Sequence, residues 1–570
     1  MKLFSLILFF LSVLSLNAQQ VDTVSFNQRT GGKIDSLDFS FSFPISLFPG
    51  GALNVQNTFI DAGFVFNTNG LQNFALPSSI PPHQFSALPH LGFSYSFGSS
   101  GLQYVHCDYQ QLFKKSLFNL TFNRSSANGF LRNSSFLNND LTLRLERKSD
   151  FIDNSFTGKY ENKVISLNGG VTNDTFIEVQ GVNFLPVQYE DAASSFKIAS
   201  LDVSNYYHLK ADSAVNRKMG IQSNHLYTAI AREYINSSDL GVANYDTLAT
   251  RDQYRFASIQ NGIGIYYKTK KLVVNGLVNH RYWDYQNLGL HRDSVEINLT
   301  SDLLYQSLNY SFQNKLYLNV IGAGQEFYNK SNFSVRFQKV NLNANVSYSQ
   351  LWPIQFQRFY YANAYNYKLS SPELQTKLEA SLKIQVDLKE GNNFSIEAKS
   401  YTMKNNYFFI DSMWRNDTLT SILMNTFTLG GSVHYKQLYF QPRIGFNVVN
   451  NASSFLPSFT SNARFFIKGK LFKAKKMEGV LGFDLGFVKS YKSFAYNSDL
   501  DVFYFSSSSQ TFSDYFTVGT FFGFEIGEFR FYTRLENLNY FATNIRNQSV
   551  IGYPVPPTIV RLGVTWDFFN

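Results

Sequence analysis

The chain has 570 residues, a formal net charge of +9, a single cysteine and a mean hydropathy of −0.18. A lone Cys107 excludes an intramolecular disulfide and any cysteine-based metal knuckle. Lys and Arg are scattered and never form a tract of five, which argues against nucleic acid as a partner.

At the N-terminus, Lys2 precedes an apolar run from Leu3 to Leu16 broken only by Ser5, Ser12 and Ser15, and Leu16-Asn17-Ala18 closes it. This pattern predicts a signal peptide over 1–18, cut before Gln19. The run falls short of the roughly 20 residues a spanning helix needs, and no later stretch approaches 18 consecutive apolar residues. A membrane crossing by this chain therefore requires a closed barrel. Composition agrees: 58 Phe and 35 Tyr bring aromatics to 17%, suited to strands that show lipid one face and water the other.

Residues 19–90 are rich in Pro, Ser, Asn and Gly, with short apolar stretches at 39–48 and 59–66. They are expected to be a periplasmic or lumen-occupying segment, and 91–570 the outer-membrane barrel. Alternation with a period of two then recurs at about the length of a tilted bilayer crossing, roughly 9 to 11 residues. Leu141, Leu143 and Leu145 oppose Thr142, Arg144 and Glu146. Val340, Leu342, Ala344, Val346 and Tyr348 oppose Asn341, Asn343, Asn345 and Ser347, and Leu378 to Leu388 alternates without a fault. Phe529, Phe531, Thr533 and Leu535 oppose Arg530, Tyr532, Arg534 and Glu536. In the closing strand Val560, Leu562, Val564, Trp566 and Phe568 oppose Arg561, Gly563, Thr565 and Asp567.

A soluble sandwich alternates too, so the connections decide. Short links (269–270, 389–392, 436–437, 473–477, 527–528) take turns with long ones (233–252, 366–375, 404–420, 450–460, 491–511), as periplasmic turns and extracellular loops do. Asn329 to Ser331 is one short link where a long one is due. About five strands fall between Leu91 and Tyr160, a long loop runs from about Glu161 to Ala199, and about 17 strands follow from Leu201. The expected fold is all-β: a transmembrane antiparallel β-barrel of about 22 strands, within about 18 to 24. Phe312, Trp352, Phe440, Phe521, Phe522, Tyr540, Trp566 and Phe569, near strand ends, are expected to form interface girdles.

Three stretches resemble a known family, the "Putative porin" barrels of the Bacteroidetes outer membrane. They are Phe93-Ser94-Tyr95 through Asn128-Gly129-Phe130 to Asn138-Asn139-Asp140, then Tyr160-Glu161-Asn162 to Leu167-Asn168-Gly169-Gly170-Val171, and finally Tyr553-Pro554-Val555-Pro556-Pro557 with Arg561 to Phe569. The resemblance implies a porin barrel and brings no catalytic residue, cofactor or defined solute. An aromatic-ended amphipathic last strand also resembles the signal read by barrel-assembly machinery, although Asn570 follows Phe569 here.

Catalytic and metal chemistry find little support. The eight histidines show no metal-ligand spacing, and in His106-Cys107-Asp108 alternation sends Cys107 to the opposite face. No Gly-x-Ser-x-Gly elbow, Walker loop or zincin motif occurs, so no enzyme and no cofactor or metal is expected. If the polar faces point inward, Arg144, Arg336, Lys383, Arg530, Arg534 and Arg561 are the candidate pore-lining residues, and the last three form the best selectivity group. Many such charges would also neutralise one another across strands. The expected function is passive diffusion of small hydrophilic solutes or ions, with outer-membrane lipid and the assembly machinery as partners and a homo-oligomer compatible with the pattern. The alternatives are an adhesin or scaffold acting through its loops, and a rim hydrolase.

Overall fold

The computed structural model describes residues 90–568, apart from 114 and short stretches at 173–184, 213–216, 238–249, 323–324, 354–357, 364–365, 370–371, 389–390, 406–407, 411–412, 416–420, 451–456, 473–476, 493–494, 498, 501, 505–510 and 541–547. The expected signal peptide, the 19–90 segment except His90, and Phe569 lie outside the described residues.

Twenty-two strands form one antiparallel sheet that closes on itself. In order they are His90–Gly98, Gln103–Phe113, Ser116–Ala127, Phe136–Arg147, Ile152–Ser166, Ala193–Asp212, Arg217–Asn236, Thr250–Lys268, Leu272–Asn287, Leu290–Gln306, Tyr310–Ile321, Phe327–Phe337, Val340–Leu351, Gln375–Asp387, Asn393–Lys404, Ser421–Tyr435, Leu438–Val449, Phe459–Leu471, Met477–Val488, Tyr515–Ile526, Phe529–Glu536 and Ile559–Phe568. The first strand pairs with the last, Leu91 opposite Phe568 and Gly98 opposite Arg561, so no edge is left to aggregate.

Alternation sets the wall. Leu141, Leu145, Leu378, Leu382, Val560 and Trp566 point outward and are exposed to what would be lipid. Inward, the neighbours of these residues are polar and packed. Asn279, with no exposed surface, donates to Asn298 Oδ1 (3.0 Å) and Thr300 Oγ1 (3.1 Å). Such cross-strand bonds give buried amide donors a partner within the wall.

Connections at the end that holds both barrel termini are short: 114–115, 148–151, 213–216, 269–271, 307–309, 338–339, 388–392, 436–437, 472–476 and 527–528. The tightest need a left-handed residue, and Gly527 supplies one at φ 57°. At the opposite end the connections are mostly long, including 167–192, 352–374, 405–420, 489–514 and 537–558. The apolar core sits there, not in the wall: Phe130, Leu131, Leu167, Leu185, Tyr491, Phe512, Tyr540 and Val555 pack with strand-end residues Tyr234, Met403, Ile422, Met424 and Tyr515.

Several expectations need correction. Asn329 to Ser331 is no link but the middle of strand Phe327–Phe337. Asn314 donates to Asn329 (3.3 Å) and Ser331 (2.8 Å), so these polar residues complete one another within the wall where a turn was read. Short links in long positions are 99–102, 288–289 and 322–326. The loop expected over 161–199 narrows to 167–192, because weakly alternating strands run on to Ser166 and start again at Ala193. Phe521 and Tyr540 do not belong to a girdle. Phe521 points inward and Tyr540 joins the mouth core, each nearly fully buried.

Candidate functional site

The barrel interior is a surface that all twenty-two strands build together. A dense charge cluster spans the last five strands, where the register brings side chains from four of them into reach. Arg464 Nε donates to Asp484 Oδ1 (2.7 Å), and Arg534 Nη2 donates to Asp484 Oδ2 (2.8 Å). Arg534 Nε also lies 3.5 Å from Glu536 Oε1, whose other oxygen accepts from Arg561 Nη2 (3.3 Å). Asp484 and Glu536 side chains are only 4% exposed, so removing either carboxylate would strand arginines without a counter-charge.

The sequence-expected pore residues all occupy the inward-facing register, but they do not form one ring. Arg534 and Arg561 are direct cross-strand partners, and Arg530 sits four residues nearer the short turns, bonded to Glu525 (3.1 Å). Arg144 is paired with Glu146 in another sector. Lys383 stands opposite Glu397, which contacts Lys399 (3.3 Å). Arg336 is exposed beside the 338–339 turn. Apart from Arg336, each therefore has a carboxylate on its own or an adjacent strand, and the basic excess visible in the sequence is largely compensated.

His106 and Asp108 do share the inward face, with Cys107 on the other. His106 Nε2 lies 3.2 Å from Asp108 Oδ1, and His106 Nδ1 meets Asn123 Oδ1 at 2.6 Å. Sequence reasoning missed His90, whose Nε2 is 3.3 Å from Asp108 Oδ2. The signal was the register of the first hairpin, which sets Gly92 opposite Asp108 and leaves room for that carboxylate beside His90. Among the described residues no group of three or more His, Cys, Asp or Glu could hold a metal ion.

The mouth on the long-connection side is bridged by its own loops. Connection 489–514 leaves the nineteenth strand and reaches the inner wall of the seventh, nearly across the ring: Arg232 Nη2 donates to the Asp499 carbonyl (2.6 Å) and the Tyr234 hydroxyl to Asp499 Oδ1 (2.6 Å). Connection 352–374 docks beside it, where Asn363 N–H donates to Asp252 Oδ1 (2.7 Å), and Asp252 is the cross-strand partner of Tyr234. Val171 N–H donates to the Gly552 carbonyl (2.7 Å), joining 167–192 to 537–558. Gly170 and Gly552 approach so closely that a Cβ on Gly552 would lie 3.1 Å from Gly170 Cα. At the root of 489–514, the Ser490 N–H and the Lys489 ammonium hold the Asp514 carboxyl below the usual carboxylate range.

The closed-barrel fold has known counterparts. A family model described as "Putative porin" matches residues 98–570. The chain belongs to the Putative porin family. Family and fold together indicate an outer-membrane protein, with short turns periplasmic and long loops extracellular. No curated protein matches the chain in sequence. Among solved structures, this porin-family chain is similar to the FrpB iron transporter from Neisseria meningitidis, F5-1 variant (TM-score 0.57, 9% identity, 85% of this chain and 83% of that one). It is also similar to the copper transporter OprC (TM-score 0.59, 9% identity, 85% and 81%). A third is the siderophore receptor PirA from Acinetobacter baumannii (TM-score 0.58, 10% identity, 85% and 81%). At such identities the likeness is one of fold.

Proposed function

We propose that the barrel is a passive pathway for small hydrophilic solutes or ions, narrowed at its outer mouth by inward-docked loops. The observation that carries this reading is the inner wall itself: polar side chains from every sector, bonded across strands, around a closed ring. Arg144, Arg336, Lys383, Arg530, Arg534 and Arg561 are its proposed lining charges. Their pairing with carboxylates favours weak ion preference over a strong anion filter. Residues 1–18 would direct export, and 19–90 would extend into the periplasm or occupy part of the lumen, as barrels of this size commonly hold a plug. The closing strand Ile559–Phe568 would serve as the assembly signal.

The test is conductance of the folded mature chain in a planar bilayer, with selectivity read from the reversal potential under a salt gradient. Steady conductance with a modest preference supports the pathway; a folded barrel that never conducts sinks it. One observation favours a second reading. Loops docked across the mouth at Asp499 and Asn363 suit a barrel that admits a specific ligand only when they open, as uptake of a metal or its carrier, named for the three similar structures, would demand. Conductance that appears only on loosening those contacts would select it.

A further inference from the structure

A strand that crosses a bilayer should show lipid only apolar side chains, because hydrocarbon offers a polar group no partner. The wall breaks this rule on the seventh, eighth and ninth strands. His225, Asn261 and His280 are successive cross-strand partners on the outward face, and all three are exposed. They share that face with exposed Ile221, Tyr227, Ile259, Ile263, Val278 and Tyr282. Toward the long connections the apolar band ends at Glu233, Arg255 and Asp284; on the middle strand it runs from Tyr267 to Ala257, about the length of one crossing, so Asn261 stands near mid-membrane. Nearby outward groups satisfy one another along the wall: Asn154 donates to Asn205 (2.7 Å) and Asn205 to Ser223 (3.2 Å). The row does not. His225 Nδ1 and Asn261 Oδ1 lie 2.9 Å apart, but His280 has no side-chain partner among the described residues, and Asn261 keeps its amide N–H donors and room on its oxygen for a second bond. Above the row Ala199, Ala229 and Ala257 are cross-strand partners on the same face, so the wall carries little bulk there and another backbone can come close.

We propose that this face docks a second copy of the chain. The groups the row leaves over include both donors and acceptors, so they match themselves: the Asn261 amide can donate to, and accept from, the same amide on the other copy, as an isologous contact requires. The row reads His–Asn–His, symmetric about its middle strand, which is the pattern a twofold contact uses and an unlike partner does not need. A twofold axis along the membrane normal at Thr250–Lys268 sets that strand against its copy and turns the strand of His225 toward the other copy's strand of His280. The bonds formed there replace none to water, since lipid tails surround the row. The proposal goes beyond the pathway reading and holds whether or not the lumen conducts.

The test is association of the mature chain folded into phospholipid vesicles, read by cross-linking in the vesicle and by native mass spectrometry after release into mild detergent. In a Cys107→Ser background, Asn261→Cys should cross-link to a dimer under copper-phenanthroline. Leu481→Cys, exposed and outward on the nineteenth strand across the ring, should not. His225→Leu, Asn261→Leu and His280→Leu together should still fold, as heat-modifiable migration reports, because leucine suits lipid better than the groups it replaces, and should weaken dimerisation at least about tenfold. If the triple variant misfolds, Asn261→Leu alone carries the test and should show a loss in the same direction. Undiminished dimerisation by a folded leucine variant, or equal cross-linking from positions 261 and 481, overturns the proposal. A chain that stays monomeric at every protein-to-lipid ratio overturns it too, and leaves the row to an unlike partner.

Discussion

Asp484 holds two arginines, Arg464 and Arg534, from strands on either side of it. Asp484→Asn should destabilise the barrel by about 3 kcal/mol, the cost of leaving buried charge uncompensated. The measurement is urea unfolding of the protein in detergent or lipid, and the same variant should move the reversal potential toward anions. Changing Arg530, Arg534 and Arg561 together to Ser frees Glu525 and Glu536 and should move it toward cations. The inward placement of these residues was legible in the sequence, because a period of two fixes which face each occupies. Their partners were not. Arg464, Asp484 and Arg534 lie 20 and 50 positions apart, and only the register of closed strands shows that they meet. His90 beside Asp108 was missed for the same reason.

The loop over 489–514 is anchored at its tip and at its root. Tyr234→Phe removes the hydroxyl that Asp499 accepts and should weaken the tip contact by about 2 kcal/mol. Raised channel conductance, or faster protease cleavage within 489–514 with the barrel intact, would register the release. The root responds to acid. Because the Asp514 carboxyl titrates lower in the docked loop than in an open one, its bonds stabilise the loop fully above about pH 4 and are lost as pH falls through the lowered value. A fluorophore on Thr511→Cys, in a Cys107→Ser background, should gain mobility in that window, and Asp514→Asn should remove the pH dependence. Alternating short and long connections foretold these loops as lengths, while their docking was invisible. The apolar residues that build the mouth core, such as Leu167, Tyr491 and Val555, carry no periodicity to mark a face.

Across the whole molecule, strand number and the division into five strands, one long loop and seventeen more were readable, because lipid outside and water inside force every crossing to alternate. Where wall residues broke that rule by bonding to each other, as Asn314, Asn329 and Ser331 do, the reading failed. Truncation after Glu536 removes the strand that joins the first to the twenty-first and should abolish heat-resistant migration in SDS gels altogether. The closure has a consequence in time. The strand beginning at His90 finds its second partner only in residues 559–568, which follow every other barrel strand in the chain, so every intermediate that lacks them carries two open edges that would pair with any strand nearby. A chain of this design cannot be finished piecemeal; it must be held apart from its neighbours until its end arrives, and an incomplete copy identifies itself by the edge it still exposes.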